Sequence, residues 1–368
     1  MTGLRWLHRW LGLSVSLIAI AFSGGILIFH DAALHYTWPD LSQPIRPGQE
    51  HAYPTILTAL HHRIPDASIR QIRFPVQGKN AFQVWLSDDS EAFVHPISGD
   101  IIARWTWDES LMDILFELHV HLFGGEVGEQ INGIVGILVI GFVLSGLILW
   151  WPRRKKWRLR SIAPQHASSL HFMRSHSALG VLFSASILVI VATGITMVFN
   201  QPLVTAITSL LDSQAPTVPT ATVEFVDQPT QSWATILNTV ANVLPEGQVI
   251  SVRLPSKDNA VMSFRKRMPE EWHPNGRSFV LLNPYTGKVL QTIDAEQQEF
   301  GMRITQKFYP LHASKIGGIP YTLLSVGTSG ALVIIGLFGL MSYGSRTFFQ
   351  SKHQTSVSKS TPIVDQKY

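Results

Sequence analysis

Four histidines occur at matching positions in two halves of the sequence. His8 begins the segment His-Arg-Trp-Leu-Gly, and His176 begins the similar segment His-Ser-Ala-Leu-Gly. His119 and His312 each lie five residues before a pair of glycines. A neutral imidazole can bind a metal through one nitrogen while the other nitrogen donates a hydrogen bond. Because two such rings on facing helices can hold the iron of a six-coordinate haem, the pattern predicts two b-type haems.

Alternatives remain open for each ligand. His8 and His176 flank basic residues, where a histidine taken alone can be a simple membrane-surface anchor. Three further histidines lie close enough along the chain to replace a member of a pair, namely His30, His121 and His171. Of these, His30 is the main substitute on the outer side. It follows His8 by 22 residues, which is about 33 Å along a helix and returns to nearly the same face.

Four apolar segments can position these histidines. Only 15% of the residues are charged, against roughly 25% in an ordinary soluble chain. Each segment is long enough to cross a bilayer as a helix and contains no Asp, Glu, Lys or Arg. The predicted spans are Leu11–Phe29, Ile131–Trp151, Ser177–Phe199 and Tyr321–Tyr343.

The distribution of basic residues predicts the orientation. Residues 152–175 contain seven Lys and Arg residues and no acid, so this loop should face the cytoplasm. Both termini then lie in the cytoplasm, and the two long segments, about 31–118 and 201–311, lie outside. In a multi-pass protein of a bacterial inner membrane, the outside is the periplasm.

The two long segments have the same order of elements. A helix at 55–63 or 233–243 precedes four segments with strand-like alternation. The predicted strands are 68–74, 81–86, 91–95 and 101–105 in the first segment, and 249–254, 260–265, 278–282 and 289–293 in the second. The sequence therefore predicts a duplication in which two halves run parallel, each with a membrane span, an α+β domain and a second membrane span. That symmetry would place His8 opposite His176 and His119 opposite His312.

These features give the predicted domain organisation. The fold class is a membrane α-helical bundle of four transmembrane helices with two periplasmic α+β domains. The boundaries are 1–30 for the first transmembrane helix, 31–117 for the first periplasmic domain, 118–152 for an interfacial segment and the second helix, 153–175 for the cytoplasmic loop, 176–200 for the third helix, 201–310 for the second domain, 311–345 for an interfacial segment and the fourth helix, and 346–368 for a disordered cytoplasmic tail.

The composition excludes several kinds of site. The chain has no cysteine, so disulfides, iron–sulfur clusters, thiolate-ligated haem and covalent c-type haem are impossible. It contains no Gly-rich fingerprint for a nicotinamide or flavin nucleotide. The electron donor would then be a quinol or a cytoplasmic reductase. The net charge of +4 gives no argument for nucleic acid as a partner.

The sequence resembles the PepSY-associated transmembrane family, also called iron-regulated membrane proteins, over nearly the whole chain. The motifs that carry the resemblance are LHRWLGL (7–13), LHVHLFGG (118–125), SGLILWWPR (145–153), HSALG (176–180), TGITMVF (193–199) and PLH (310–312). Two positions depart from the family's pattern. Ser177 stands where the family often has Arg after the histidine, and His30 stands where an Arg or another polar residue is common.

The resemblance implies an inner-membrane protein of iron acquisition with two PepSY-like domains. Characterised relatives are similar to di-haem reductases that take iron from ferric siderophores in the periplasm. Carried over residue by residue, the family pattern implies His8, His119, His176 and His312 as axial ligands. The expected cofactors are two haem b groups, and the expected substrate is a ferric siderophore. Five cations of the second domain either attract an anionic chelate or, as the simpler explanation, belong to a solvated strand face. They are Arg253, Arg265, Lys266, Arg267 and Arg277.

A second hypothesis has no redox step. Four helices and two small domains could capture a siderophore or a peptide as a binding or transport module. PepSY domains are generally thought to bind and inhibit peptidases, which agrees with this alternative. A purely structural role gives no reason for histidines at matching positions in both halves.

Overall fold

The computed structural model describes residue 8 and residues 15–64, 66, 68–212, 214 and 216–358. The chain divides into two compact units. The helical unit contains residues 1–25, 118–195 and 319–368, and the sheet unit contains residues 26–117 and 196–318. Each unit is built from segments that are far apart in the sequence.

The helices are named α1 to α11 in chain order. They are α1 Val15–Leu27, α2 His30–Thr37, α3 Tyr53–Arg63, α4 Leu111–His121, α5 Gly125–Trp150, α6 Ser169–Val198, α7 Asn200–Leu211, α8 Trp233–Asn242, α9 Phe300–Thr305, α10 Phe308–His312 and α11 Gly318–Ser358. The strands are β1 Ile69–Arg73, β2 Phe82–Leu86, β3 Glu91–Val94, β4 Ile101–Trp105, β5 Gln248–Arg253, β6 Met262–Arg267, β7 Ser278–Leu282 and β8 Val289–Ile293.

Three helices of the described chain are long and apolar enough to cross a membrane by themselves. They are α5, α6 and the part of α11 from Gly318 to Tyr343. The first predicted span is different, because its helix Ser16–Leu27 meets the criteria for a span only together with the following helix His30–Thr37, and the two are bent by 57°. If the bent pair counts as one span, the number of candidate spans becomes four. Residues 11–14 of that predicted span lie outside the described residues.

The boundaries of two predicted segments need correction. Helix α6 begins at Ser169, within the predicted cytoplasmic loop, so His176 lies about two turns inside the helix and not at its first residue. Helix α11 continues to Ser358, where a disordered tail was predicted from residue 346. Residues 359–368 lie outside the described part of the chain.

Small residues let the four helical segments of the helical unit pack closely. Its core takes one buried residue from each segment, namely Ala21, Val139, Ile187 and Leu332. A Cβ atom at Gly336 would lie 2.7 Å from the Ile18 side chain, and one at Gly136 would lie 2.8 Å from the Ile195 side chain. Close approach of this kind holds helices together in lipid, where burial of apolar surface provides little driving force.

The sheet unit contains one eight-stranded sheet in the order β4-β3-β2-β1-β5-β6-β7-β8. Strands β1 and β5 pair antiparallel, with Ile72 opposite Val252. The two predicted α+β domains therefore share a single sheet, to which each contributes four strands. All eight predicted strands and both predicted helices are present, with ends within about two residues of the prediction.

Helices α3 and α8 cover one face of this sheet. The core beneath them includes Leu60 of α3 and Val240 of α8, packed on Val84, Val252 and Phe264 of the strands. Burial alternates along the strands, as it does in β6, because successive side chains point to opposite faces. The opposite face of the central strands therefore carries the polar residues of the alternation.

Lys266 is buried on the helix-covered side and is not a surface cation. Its ammonium group donates hydrogen bonds to the carbonyl oxygens of Val240, Val243 and Leu244 at 3.1, 2.7 and 2.7 Å. These carbonyls lie at the carboxyl end of α8, where the last turn of a helix leaves acceptors without intrahelical partners. The hypothesis that Lys266 attracts an anionic chelate is therefore wrong, because this side chain stabilises a helix end.

Candidate functional site

The helical unit brings His8 and His176 together. Their ring centroids are 6.2 Å apart, and the ring planes are nearly perpendicular, at 84°. Both side chains are half-buried. The sequence predicted this pairing from the matching positions of the two residues in the two halves.

Hydrogen bonds determine which nitrogen of each ring carries the proton. His176 Nδ1 is 2.9 Å from the carbonyl oxygen of Ile335, which can only accept, so Nδ1 donates. His8 Nδ1 is 2.8 Å from Ser145 Oγ, and that hydroxyl donates to the carbonyl oxygen of Phe142 at 3.1 Å. In the neutral rings, Nε2 then carries the lone pair that binds a metal.

Both hydrogen-bond arrangements end at matching positions of the sequence. Phe142 lies four residues before Gly146, and Ile335 lies four residues before Gly339. His176 reaches the Ile335 carbonyl directly. His8 reaches the Phe142 carbonyl through the Ser145 hydroxyl. Ser145 belongs to the SGLILWW motif, but the sequence alone did not predict a role for it.

The distance between the rings fits two axial ligands of one metal. Metal–imidazole bonds are about 2.0 Å long, and the ring centre lies about 1 Å beyond the nitrogen, so two opposed imidazoles have centroids about 6 Å apart. Glycines lie beside both rings. A Cβ atom would be 3.5 Å from His8 Cε1 at Gly146 and 3.7 Å from His176 Nδ1 at Gly339. The two imidazole donors, together with the lack of a side chain at the glycine beside each ring, are compatible with a flat macrocycle held by His8 and His176.

His119 lies at the end of α4 and packs against α1. Its Nδ1 is 3.0 Å from the carbonyl oxygen of Ile20 and 3.5 Å from Ser23 Oγ. A Cβ atom at Gly24 would approach His119 Cε1 to 2.6 Å, so only glycine allows this approach. As in the inner pair, donation from Nδ1 to a carbonyl leaves the lone pair on Nε2.

The turn after His119 depends on Gly128. A Cβ atom there would lie 1.7 Å from the carbonyl oxygen of His121. Leu122 and Phe123 in this turn have φ angles of 50° and 58°, which residues other than glycine seldom adopt. Asn132 Nδ2 then donates to the carbonyl oxygen of His119 at 2.5 Å. These contacts hold the end of α4 against α5 and thereby fix the position of His119.

His312 is the last residue of α10 and belongs to the sheet unit, whereas His119 belongs to the helical unit. The sequence allowed either a loop or a short interfacial helix for these two residues, and each lies at the end of a helix. Their pairing as ligands of an outer haem stays a prediction.

His30 is the first residue of α2 and lies beside a partly exposed network of charges. Its Nδ1 is 3.4 Å from Asp31 Oδ1. Asp31 also binds Lys79 at 2.8 Å and Lys315 at 2.7 Å. The hydrogen bond from His30 and the two ammonium groups hold the pKa of Asp31 far below its ordinary value, although burial opposes them. His30 remains an alternative outer ligand.

The other two substitutes have local contacts. His171 Nδ1 is 2.7 Å from Ser168 Oγ, and its ring packs edge-on against His166 at 4.8 Å. The carbonyl of His121 accepts a hydrogen bond from the backbone N–H of Gly124 at 2.7 Å. These contacts place His171 in the first turn of α6 and His121 at the turn that follows α4, and the participation of either side chain as a ligand stays a prediction.

A second polar cluster lies on the sheet unit. Of the five cations suggested by the sequence, Arg265 and Arg277 are half-buried within it, whereas Arg253 and Arg267 are exposed. Arg73 of β1 also belongs to this cluster and was missed, because only the pairing of β1 with β5 brings the first half of the chain next to the second. His273 and Tyr309 stack there with their centroids 4.8 Å apart.

This cluster keeps His273 neutral. Burial, followed by the charges of Arg277, Arg265 and Arg73, lowers the pKa of His273 from 6.5 to about 3. The backbone N–H of Asn275 donates to His273 Nδ1 at 3.2 Å, which requires an unprotonated Nδ1. Between pH 3 and 6.5 the unfolded chain therefore binds more protons at this residue than the folded chain, so stability should fall as the pH falls through this window.

We predict that a change from pH 7.5 to 5.5 lowers the free energy of unfolding by about 1.4 kcal/mol through His273 alone. The H273Q variant removes the titrating ring and should lose that much less stability over the same pH change. Denaturant unfolding of both proteins at the two pH values measures the difference. Equal losses in the two proteins would show that His273 is not held neutral by its surroundings.

The comparisons agree with the resemblance seen in the sequence. No curated protein matches the chain. The family described as the PepSY-associated TM region matches residues 5–346, which include all four candidate ligand histidines and both groups of strands. The protein is therefore a membrane protein that belongs to the PepSY-associated TM family.

Proposed function

We propose that this protein is a di-haem reductase of the bacterial inner membrane that passes electrons across the membrane to ferric iron held by a siderophore. The observation that carries this proposal is the pair formed by His8 and His176, whose separation and hydrogen bonds suit the two axial ligands of one haem. Haem b bound there would supply one-electron transfer between ferric and ferrous iron.

The chain's own residues orient the ligands and adjust their basicity. Donation from Nδ1 to the Ile335 carbonyl, or through Ser145 to the Phe142 carbonyl, fixes each ring and makes Nε2 a better electron donor to iron. The apolar residues of the helical unit exclude water and so influence the potential at which electrons are accepted. These functions require no general acid, general base or nucleophile.

The outer half of the proposal uses His119 and His312. His119 has the same Nδ1-to-carbonyl arrangement as His176.

In the proposed topology, four spans place both termini and the loop at 152–175 in the cytoplasm, and the sheet unit lies in the periplasm. The two halves arose by parallel duplication, so each haem takes one histidine from each half. A quinol or a cytoplasmic reductase supplies the electrons.

Reconstituted vesicles test this function. The protein is inserted into liposomes that enclose a reductant, and a ferric siderophore is added outside together with a colorimetric chelator of ferrous iron. We expect ferrous iron to form outside, with one electron consumed per iron, only when reductant is enclosed. The hard oxygen donors of a siderophore bind ferric iron more tightly than ferrous iron, so the reduced iron leaves the siderophore. Failure to form ferrous iron while the bound haem is fully reduced would contradict the proposal.

A second function is favoured by the arginine cluster of the sheet unit. Arg73, Arg265 and Arg277 suit a protein that captures an anionic ligand without redox chemistry. The variant with both His119 and His312 replaced by alanine separates the two functions. Loss of haem together with loss of ferric reduction supports electron transfer, whereas unchanged iron uptake supports a binding or transport module.

A further inference from the structure

Four neighbouring strands place two arginines in one row across the sheet. Arg73 of β1 lies opposite Ser251 of β5, Ser251 lies opposite Arg265 of β6, and Arg265 lies opposite Phe279 of β7. The adjacent residues Ile72, Val252, Phe264 and Val280 are buried under α3 and α8. Since successive side chains alternate between faces, the row with Arg73 and Arg265 occupies the opposite face.

Residues from the loop before β7 and from α10 complete the surroundings of this row. Burial is the main cause of the lowered pKa of Arg265. The charge of Arg277 is the second cause, ahead of the charges of Arg253 and Arg73. Arg73 donates a hydrogen bond from Nη2 to Asn275 Oδ1. Tyr309 contributes its ring, stacked on His273, and Arg265 lies over the ring of Phe279 at 5.3 Å.

Within the described part of the chain, no carboxylate forms an ion pair with these three guanidinium groups. The carboxylate of Glu271 acts on Arg265 and Arg277 through its charge, and its two oxygens accept the backbone N–H groups of Met268 and Arg277, both at 2.6 Å. The Nε atoms of Arg73 and Arg277 are buried and have no hydrogen-bond partner among the described residues.

Such an arrangement is costly for a fold that has nothing to bind there. A half-buried cation without an ion pair loses hydration, which the charge of Glu271 offsets only in part, and like charges nearby add repulsion. Burial, and after it the repulsion, lower the pKa of Arg265 from 12.5 to about 10. An anion bound between the arginines would relieve both costs and would use the unpartnered Nε donors.

We propose that Arg73, Arg265 and Arg277 form the binding site for a ferric chelate that carries several negatively charged carboxylates. The planar guanidinium group binds carboxylate oxygens through two parallel hydrogen bonds, and three such groups favour a ligand with more than one carboxylate. Tyr309, whose ring stacks on the buried His273, lies beside Arg73 and Arg277. This inference rests on the proposed function for the iron, but the binding of the anion does not depend on electron transfer.

Equilibrium binding to the full-length, oxidised protein in detergent tests the site without any redox step. The probes are ferric citrate, inorganic phosphate and a neutral ferric trihydroxamate. We expect ferric citrate to bind most tightly, and the R265Q and R73Q variants to weaken its binding by about 10- to 100-fold, the usual effect of losing charge-assisted hydrogen bonds. The R70Q variant is the matched control. Arg70 lies on the same strand, but its guanidinium pairs with Asp89 at 2.8 Å on the exposed surface.

Three results would overturn the inference. One is an unchanged affinity for ferric citrate in R265Q and R73Q, another is an equal loss in R70Q, and the third is binding of phosphate or the neutral chelate as tight as that of ferric citrate. Haem absorbance and thermal unfolding of each variant verify that the fold is intact. If haem is absent but the arginine-dependent binding is found, the proposed reductase fails and the anion site stands. If vesicles reduce neutral chelates while ferric citrate does not bind, the anion site fails and the reductase stands.

Discussion

Replacing His176 by alanine should reduce the haem content of the purified protein from two per chain to one and abolish transmembrane reduction of ferric chelates. The ring of His176 lies 6.2 Å from that of His8, and alanine removes one of the two ligands that this pair offers to iron. The remaining ligand cannot maintain a six-coordinate, low-spin haem. Haem extraction and the absorption spectrum of the reduced protein measure the loss, and the vesicle assay measures reduction.

The matched control for this experiment is H171A. His171 lies on the same helix, five residues earlier, and contacts Ser168 and His166. If His176 and not His171 is the ligand, replacement of His171 should leave two haems and near-normal reduction. A weaker form of the test uses S145A, which removes the hydroxyl between His8 and the Phe142 carbonyl and should change the inner haem's reduction potential with little loss of haem. The account would be wrong if H176A retained both haems, or if H171A and H176A lost haem equally.

Replacing Gly128 by alanine should destabilise the helical unit by about 3 kcal/mol or more, because the new methyl group would lie 1.7 Å from the His121 carbonyl oxygen and the backbone must move to accept it. The movement would displace the end of α4 and with it His119. Haem content should therefore fall toward one per chain, with the inner haem retained. Thermal unfolding and haem extraction measure the two effects.

Gly141 provides the control on the same helix. A Cβ atom there meets nothing within 4 Å, so G141A should change stability by no more than about 1 kcal/mol and should leave both haems bound. The interpretation of the turn would be contradicted if G128A and G141A behaved alike, or if G128A lost stability without losing the outer haem.

The alternation of residues predicted the strands well, since a pattern such as that of Phe82–Leu86 is a local property of the chain. The single sheet was not predicted. It depends on the pairing of β1 with β5, in which Ile72 meets Val252 across the middle of the chain, and no local pattern specifies such a long-range contact. The same pairing explains why Arg73 was missed as a partner of Arg265.

The placement of Lys266, in contrast, could have been predicted from the sequence. Lys266 continues the alternation of Met262 and Phe264, both of which are buried, so its position on the helix-covered face follows from the period of the strand. The bend after Leu27 was harder to predict, because an apolar run gives its length but not its straightness. His8 and His176 were paired from their matching positions alone, whereas the role of Ser145 required the distance between its hydroxyl and the His8 ring.

The most direct test of the central claim is the absorption spectrum of the purified protein before and after addition of dithionite, combined with a count of haem per chain. We predict sharp, red-shifted bands of six-coordinate b-type haem on reduction and about two haems per chain, one for each histidine pair. A colourless protein purified from cells with ample haem would contradict the claim that these histidines hold haem iron.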